Sequence, residues 1–164
     1  MPSSFQNKQI VLGVTGSIAC YKSLDLASKL TQSGAIVDVI LTESAQRFVS
    51  PLAFKSITHE RVITDLYSLD SDLAINHVAL AEQADVLIVS PATANTIAKI
   101  ANGISDDALG ATILATKAPV IIAPAMDGNM FDHPATQENM ARLRQRGVLI
   151  AGPCLLYTSD AADE

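Results

Sequence analysis

The chain has 164 residues, is 49% apolar and 17% charged, and carries a formal net charge of −6. That length supports one domain with a real core, and that composition is globular rather than disordered. The acidic balance and the lack of a basic patch exclude nucleic acid as the expected partner, and the apolar runs fall far short of the ~20 residues that span a bilayer. Aromatics make up 4% and Trp is absent, so the core must be built from Ala, Val, Ile and Leu. Residues 1–8 lack the apolar segment of a signal peptide. Two cysteines, Cys20 and Cys154, make no disulfide framework, which fits a reducing cytoplasm.

Gln9 to Val14 reads as a first strand, followed by the turn Thr15-Gly16-Ser17. Ile18 to Ser33 has helical spacing and stops at Gly34. Ile36 to Leu41 is a second strand, and Thr42 is placed to cap a short helix from Glu43 to Phe48. Pro51 is placed to start a helix over Leu52 to Ile57. His59 to Asp72 is polar and irregular, as a surface loop would be. A helix over Ile75 to Gln83 precedes a third strand, Val86 to Val89. Helices over Thr93 to Ala101 and Asp106 to Thr116 precede a fourth strand, Pro119 to Ala123. A helix over Pro134 to Arg146 precedes a fifth, Val148 to Ala151. Strand and helix alternate throughout, which predicts a parallel sheet with helices on both faces. Residues 154–164 continue neither the strand period nor the sheet. They read as a non-native tail on a domain of residues 1–153 that is incomplete at its end.

Four segments follow predicted strands, where open α/β sheets bind ligands. Gly13-Val14-Thr15-Gly16-Ser17-Ile18-Ala19 offers glycines for close backbone approach and hydroxyls beside a helix start. Its spacing is not the dinucleotide G-x-G-x-x-G and it has no P-loop lysine, so a phosphate site and a merely tight turn are both open. Thr42-Glu43-Ser44 is either a plain helix cap or a second phosphate wall. Glu43 is the one acid there that could suit NAD. Ser90-Pro91-Ala92-Thr93-Ala94-Asn95-Thr96 leaves the third strand on small polar residues, whose N–H groups can approach an anionic or planar ligand. Pro124-Ala125-Met126-Asp127-Gly128-Asn129-Met130-Phe131 is a connecting loop or a third ligand wall. Of the three histidines, His59 and His133 lie in polar stretches and read as surface residues. His77 opens an apolar helix just before the third strand, which the chain leaves on Ser90 to Thr96. No metal-ligand spacing is present.

Six segments occur together in one order: Gly16-Ser17-Ile18-Ala19, Thr42-x-Ser44-Ala45-x-x-Phe48, Asn76-His77-Val78-x-Leu80-Ala81, Ser90 to Thr96, Ala101-x-Gly103-x-x-Asp106-x-x-Leu109, and Pro124-Ala125-Met126-Asp127-x-x-Met130. Over about residues 8 to 153 the chain resembles the flavin-dependent cysteine decarboxylase family. The resemblance implies a single-domain, three-layer, Rossmann-like (flavodoxin-like) doubly wound fold. It implies FMN held by Gly16, Ser17, Ile18, Thr42, Ser44 and Phe48, by Ser90, Thr93, Ala94, Asn95 and Thr96, and by Ala125. Met126, Asp127 and Met130 would meet the substrate, and His77 would be the catalytic base or proton-handling group. His77 would serve a neighbour's flavin, since the implied assembly is a homotrimer, often built into a dodecamer. No metal is implied.

The activity implied is the step of coenzyme A biosynthesis that decarboxylates 4′-phospho-N-pantothenoylcysteine to 4′-phosphopantetheine. A carboxylate can leave only if the resulting carbanion is delocalised, and oxidation of the cysteine side chain to a thioaldehyde supplies that sink. The alternatives are oxidative decarboxylation of a peptide's C-terminal cysteine, a non-catalytic flavin-binding module, and an ordinary NAD(P) domain. Two departures stand out. Asp127 replaces the family's usual Asn, which holds the substrate carboxylate, and an ionised Asp would repel that group. The Gly- and Ala-rich segment carrying the family's flap cysteine does not follow Gly152-Pro153, and Cys154 comes too early to take that role.

Overall fold

The computed structural model describes residues 4–67, 76–152 and 154–155. The elements run β1 (Gln9–Val14), α1 (Cys20–Gln32), β2 (Ile36–Leu41), a 3₁₀ turn (Ala45–Arg47), α2 (Pro51–Thr58), β3 (Val62–Ile63), α3 (Asn76–Gln83), β4 (Val86–Ala92), α4 (Ala94–Ala101), α5 (Ala108–Ala115), β5 (Val120–Met126), α6 (Gly128–Asp132), α7 (Pro134–Gln145), β6 (Leu149–Ile150) and β7 (Cys154–Leu155). The strand order is β3-β2-β1-β4-β5-β6, with β7 pairing the far end of β5. Every described pairing is parallel. This is the Rossmann order, and without the two-residue β3 it becomes the flavodoxin order. The chain reverses direction of travel between β1 and β4, so the crevice beyond their carboxyl ends is the expected binding place.

Side-chain alternation builds a core on each face of the sheet. Ile10, Leu12 and Val14 of β1 join Val37, Val39 and Leu41 of β2, packed with Cys20, Ala27 and Leu30 of α1 and Phe54 of α2. Val11 and Ile40 face the other way, with Leu87 and Val89 of β4, against Leu80 of α3, Ile97 of α4, Leu109 of α5 and Met140 and Leu143 of α7. Alternation puts Gly13 on that second face, where a Cβ would stand 2.5 Å from Leu109 Cδ1 and that side chain would have to move. The buried Asp38 of β2 is neutralised where it emerges: the Arg61 guanidinium donates to both its oxygens at 3.1 Å, and Arg61 N–H donates at 3.2 Å. A planar guanidinium matches a carboxylate in this two-point fashion.

The structure corrects four local expectations. The Glu43–Phe48 helix is only a 3₁₀ turn, although Thr42 Oγ1 does accept from Ala45 N–H at 3.3 Å. His59–Asp72 is not wholly irregular: His59 ends α2 with φ 60° and Val62–Ile63 adds an edge strand. Its residues 68–72 lie outside the described residues. Pro124–Phe131 is no simple loop, because β5 runs on through Met126 and Asp127 caps α6. Residues 154 and 155 do not leave the sheet, since Cys154 registers with Ala125 and Leu155 with Met126. Polar caps and a proline hide periodicity in segments this short. No helix among the described residues is long and apolar enough to cross a membrane.

Candidate functional site

The site begins at Thr15, the first residue past β1. It is 1% exposed, and its hydroxyl donates to Pro91 O at 2.6 Å and accepts from Thr93 N–H at 3.0 Å. One buried oxygen thus ties the end of β1 to the chain leaving β4. Ser23 Oγ adds a bond of 2.6 Å to Ser90 O, and the Cys20 thiol donates to Thr15 O at 2.9 Å. Burial pushes the Cys20 thiol up, so it stays protonated and serves as a hydrogen-bond donor rather than a nucleophile. Thr15 therefore offers no hydroxyl to a ligand. Its role is to position the loops that do.

Gly16 comes next and lies hard against the loop after β2. A Cβ on Gly16 would meet Ser44 Cβ at 2.4 Å and Ser44 C at 2.9 Å, closer than real atoms pack. Ser17 is buried, and its Oγ accepts from Ala19 N–H at 3.2 Å, closing the turn into α1. Across the crevice, Thr93 caps α4: its Oγ1 accepts from Thr96 N–H at 3.2 Å. This cap leaves the first turn of α4 facing the crevice with its N–H groups and positive dipole end.

Between these loops opens a cleft of about 420 Å³, in the range of small-ligand sites. Of the expected site residues, Gly16, Thr42, Ser44, Thr93, Asn95, Thr96 and Met130 line it together. The others lie elsewhere in the single chain. Ser17, Ala125 and Met126 are buried, Met126 within the sheet's second core. Ile18 and Phe48 are 59% and 54% exposed and stand outside the cleft wall. Ser90 and Ala94 are half-buried beside it. Asp127 is exposed, and its Oδ1 accepts from Asn129 N–H at 2.9 Å as the cap of α6. His77, half-buried near the start of α3, does not line the cleft of its own chain. His59 and His133 are exposed, and His133 Nδ1 caps α7 through Ala135 N–H at 3.1 Å.

Sequence reasoning gave no site role to the far wall, although Asp106 and Leu109 stand in one of the six ordered segments. Lys99, Ile100, Ile104, Asp106, Asp107, Leu109 and Gly110 all line the cleft. The available signal was the spacing Thr93, Thr96, Lys99, which places three polar side chains on one face of α4 while Ile97 and Ala101 face the core. Asp107 Oδ1 accepts from Gly110 N–H at 2.7 Å and starts α5. Gly110 is required because a Cβ would stand 2.7 Å from Ile104 O, where the loop crosses α5. Lys99 Nζ meets Asp106 at 2.9 and 3.1 Å. Hydrogen bonding from Lys99 holds the Asp106 carboxyl below its ordinary range. A smaller cavity of about 150 Å³ adjoins this wall, sharing Glu43, Asp106 and Asp107 with it and lined also by Thr64 to Tyr67. Among the described residues no cluster of His, Cys, Asp or Glu could hold a metal ion.

Comparison with known proteins extends this geometry. The chain is 50% identical over 147 residues to the "Coenzyme A biosynthesis bifunctional protein CoaBC" of Bacillus subtilis, covering 90% of this chain and 36% of that protein. The chain therefore spans about a third of the length of the curated relatives it matches. The solved structure of the FMN-dependent cysteine decarboxylase SpaF superposes with a TM-score of 0.81 at 35% identity, covering 90% of this chain and 85% of that one. A PPC decarboxylase mutant complexed with pantothenoylaminoethenethiol gives a TM-score of 0.76 at 27% identity, covering 90% and 83%. The Flavoprotein family model matches residues 2–163. By its sheet order, its strand-end cleft and these matches, the chain belongs to the Flavoprotein family.

Proposed function

We propose that this chain binds FMN and decarboxylates 4′-phospho-N-pantothenoylcysteine to 4′-phosphopantetheine in the coenzyme A pathway. The observation that carries the reading is the cleft where Gly16, Ser44 and the Thr93–Thr96 turn converge at the sheet's reversal point. The residues present fit a flavin mononucleotide. Gly16, lacking a Cβ, lets the Ser44 loop close against it so that both edge the cavity, the first turn of α4 lines it, and Thr42, Thr93 and Thr96 add hydroxyl-bearing residues. The match to SpaF supports FMN, and 50% identity to CoaBC against 27% to the peptidyl-cysteine decarboxylase EPID favours the small-molecule substrate over a peptide.

When bound, FMN supplies reversible two-electron oxidation, which lets the substrate cysteine shed its carboxylate. The chain's own residues do the rest. Gly16, Ser17, Ile18, Thr42, Ser44, Phe48, Ser90, Thr93, Ala94, Asn95, Thr96 and Ala125 form the cofactor side. Met126 at the end of β5, with Asp127 and Met130 beyond it, forms the substrate side. Asp127 already spends Oδ1 on the α6 cap, so its charge is partly engaged where an Asn would otherwise stand. His77 handles the proton. Because it lies outside its own chain's cleft, it serves the cleft of a neighbouring copy in a homotrimer, or in a dodecamer built of four trimers. The exposed Ile18, Tyr21, Phe48 and Leu52 supply apolar surface for such an assembly. We place the activity in the cytoplasm, where the buried thiol of Cys20 stays reduced.

The protein should purify yellow, sediment as a trimer or multiple, and release CO2 from phosphopantothenoylcysteine in preference to a cysteine-ended peptide. His77→Asn should retain flavin and the assembly while losing roughly 10²- to 10⁴-fold in turnover, the usual worth of a positioned proton carrier. A colourless protein, or a His77→Asn variant of full activity, would overturn the reading.

A further inference from the structure

The cleft has an electrostatic problem. Among the described residues its wall carries three carboxylates, Glu43, Asp106 and Asp107, and one basic group, Lys99. A phosphate monoester at neutral pH adds close to two further negative charges. Backbone N–H groups offer partial charges only, so a phosphate in this cavity must find the ammonium.

Lys99 is built to be found. It stands one turn after Thr96 on the cleft face of α4, beyond the Thr93 cap. Its bond is to Asp106, and the two side chains are 32% and 57% exposed. An ion pair this open to water is worth little and exchanges readily. The neighbouring Asp107 is committed differently, because capping Gly110 starts α5. Asp106 can therefore be released without unwinding a helix, while Asp107 cannot.

We propose that Lys99 recognises the phosphate monoester of the bound ligand by partner exchange: its ammonium leaves Asp106 for the phosphate. Until a phosphate arrives, the bond to Asp106 holds the lysine on the cleft wall. The inference rests on the flavin reading above. The phosphate could be that of the cofactor or that of the substrate, and the chemistry of recognition is the same.

The test titrates apoprotein with FMN and with riboflavin, followed by quenching of flavin fluorescence, in the full chain and in Lys99→Gln, Lys99→Arg and Asp106→Asn. If Lys99 reads the cofactor phosphate, Lys99→Gln weakens FMN about 10- to 100-fold and leaves riboflavin unmoved, the scale of one charge-assisted contact. Lys99→Arg restores most of that preference, and Asp106→Asn keeps or raises it. If the FMN-to-riboflavin ratio does not move in Lys99→Gln, KM is compared for phosphorylated and unphosphorylated pantothenoylcysteine. A KM rise confined to the phosphorylated compound assigns Lys99 to the substrate phosphate. Both ratios unchanged in Lys99→Gln, or equal losses with and without phosphate, overturn the inference while the flavin reading stands. An apoprotein that binds neither flavin overturns both.

Discussion

The two walls of the cleft are made in opposite ways. The wall at β1 and β4 is locked from beneath: Thr15 bridges Pro91 and Thr93, Ser23 holds Ser90, and Cys20 holds Thr15, all through buried or half-buried atoms. The wall at α4 and α5 is closed by an exposed ion pair between Lys99 and Asp106. Buried hydrogen bonds are costly to break because each lost partner strands a polar group away from water. An exposed pair yields to water or to a ligand. One wall is preorganised and the other is adjustable, which is what a site needs if it holds one permanent group and turns over another.

Three substitutions sharpen that contrast. The largest effect is expected from Gly16→Val, whose side chain would be driven into Ser44 on the rigid side. Flavin binding should fall by at least 100-fold, or the protein should refold without yellow colour, read by flavin retention on a desalting column. Flavin retained at full stoichiometry would mean that the rigid wall is softer than its contacts imply. Next comes Thr15→Val, which keeps shape and removes the bridging hydroxyl. Stranding Thr93 N–H, and leaving Pro91 O only the longer bond from Thr15 N–H at 3.3 Å, should cost about 1–3 kcal/mol, read as a shift in urea midpoint at constant slope.

The smallest effect concerns Asp106 and appears only in acid. Its folded pKa is lowered below the ordinary 3.8, chiefly by the hydrogen bond from Lys99. The pair therefore contributes stability above the unfolded value and loses it as pH falls through the folded value. Wild type and Asp106→Asn should differ slightly in urea midpoint at pH 7 and converge below the ordinary aspartate range. Because the pair is exposed, the gap should be small throughout. A gap as large as that of Thr15→Val would erase the contrast between the walls.

Much of this was legible in the sequence, and the reasons are local. Strands such as Val37 to Leu41 and helices such as Ala94 to Ala101 carry long periodic patterns and strong punctuation by Gly34 and Gly103, so their type and order were readable. Short elements were not: Val62-Ile63 lies in a polar stretch, and Gly128–Asp132 begins with glycine and contains no periodic stripe. The near wall of the site was readable because glycine and hydroxyl residues cluster after strand ends. The far wall was not, because Lys99 and Asp106 are seven residues apart and look like ordinary surface charges until Gly110 lets the Ile104 loop fold across α5. Thr15 left two readings open for the opposite reason. A threonine beside a glycine turn looks like a ligand donor, and only burial shows that its bonds are already spent.

The uneven length of the strands has a consequence for how this protein could change. β4 and β5 stay paired out to Ala92 and Pro124, and β5 then meets Cys154 and Leu155, whereas β1 stops at Val14. The segment from Asp127 onward is thus carried on an overhang beyond the part of the sheet that anchors Thr15 and Gly16. Substitutions on the overhang need not disturb the anchor. On the substrate role proposed for this segment, a lineage or an engineer could retune which carboxylate is accepted by rewriting the α6 cap at Asp127 while leaving the bonds of Thr15 and the Gly16–Ser44 contact untouched.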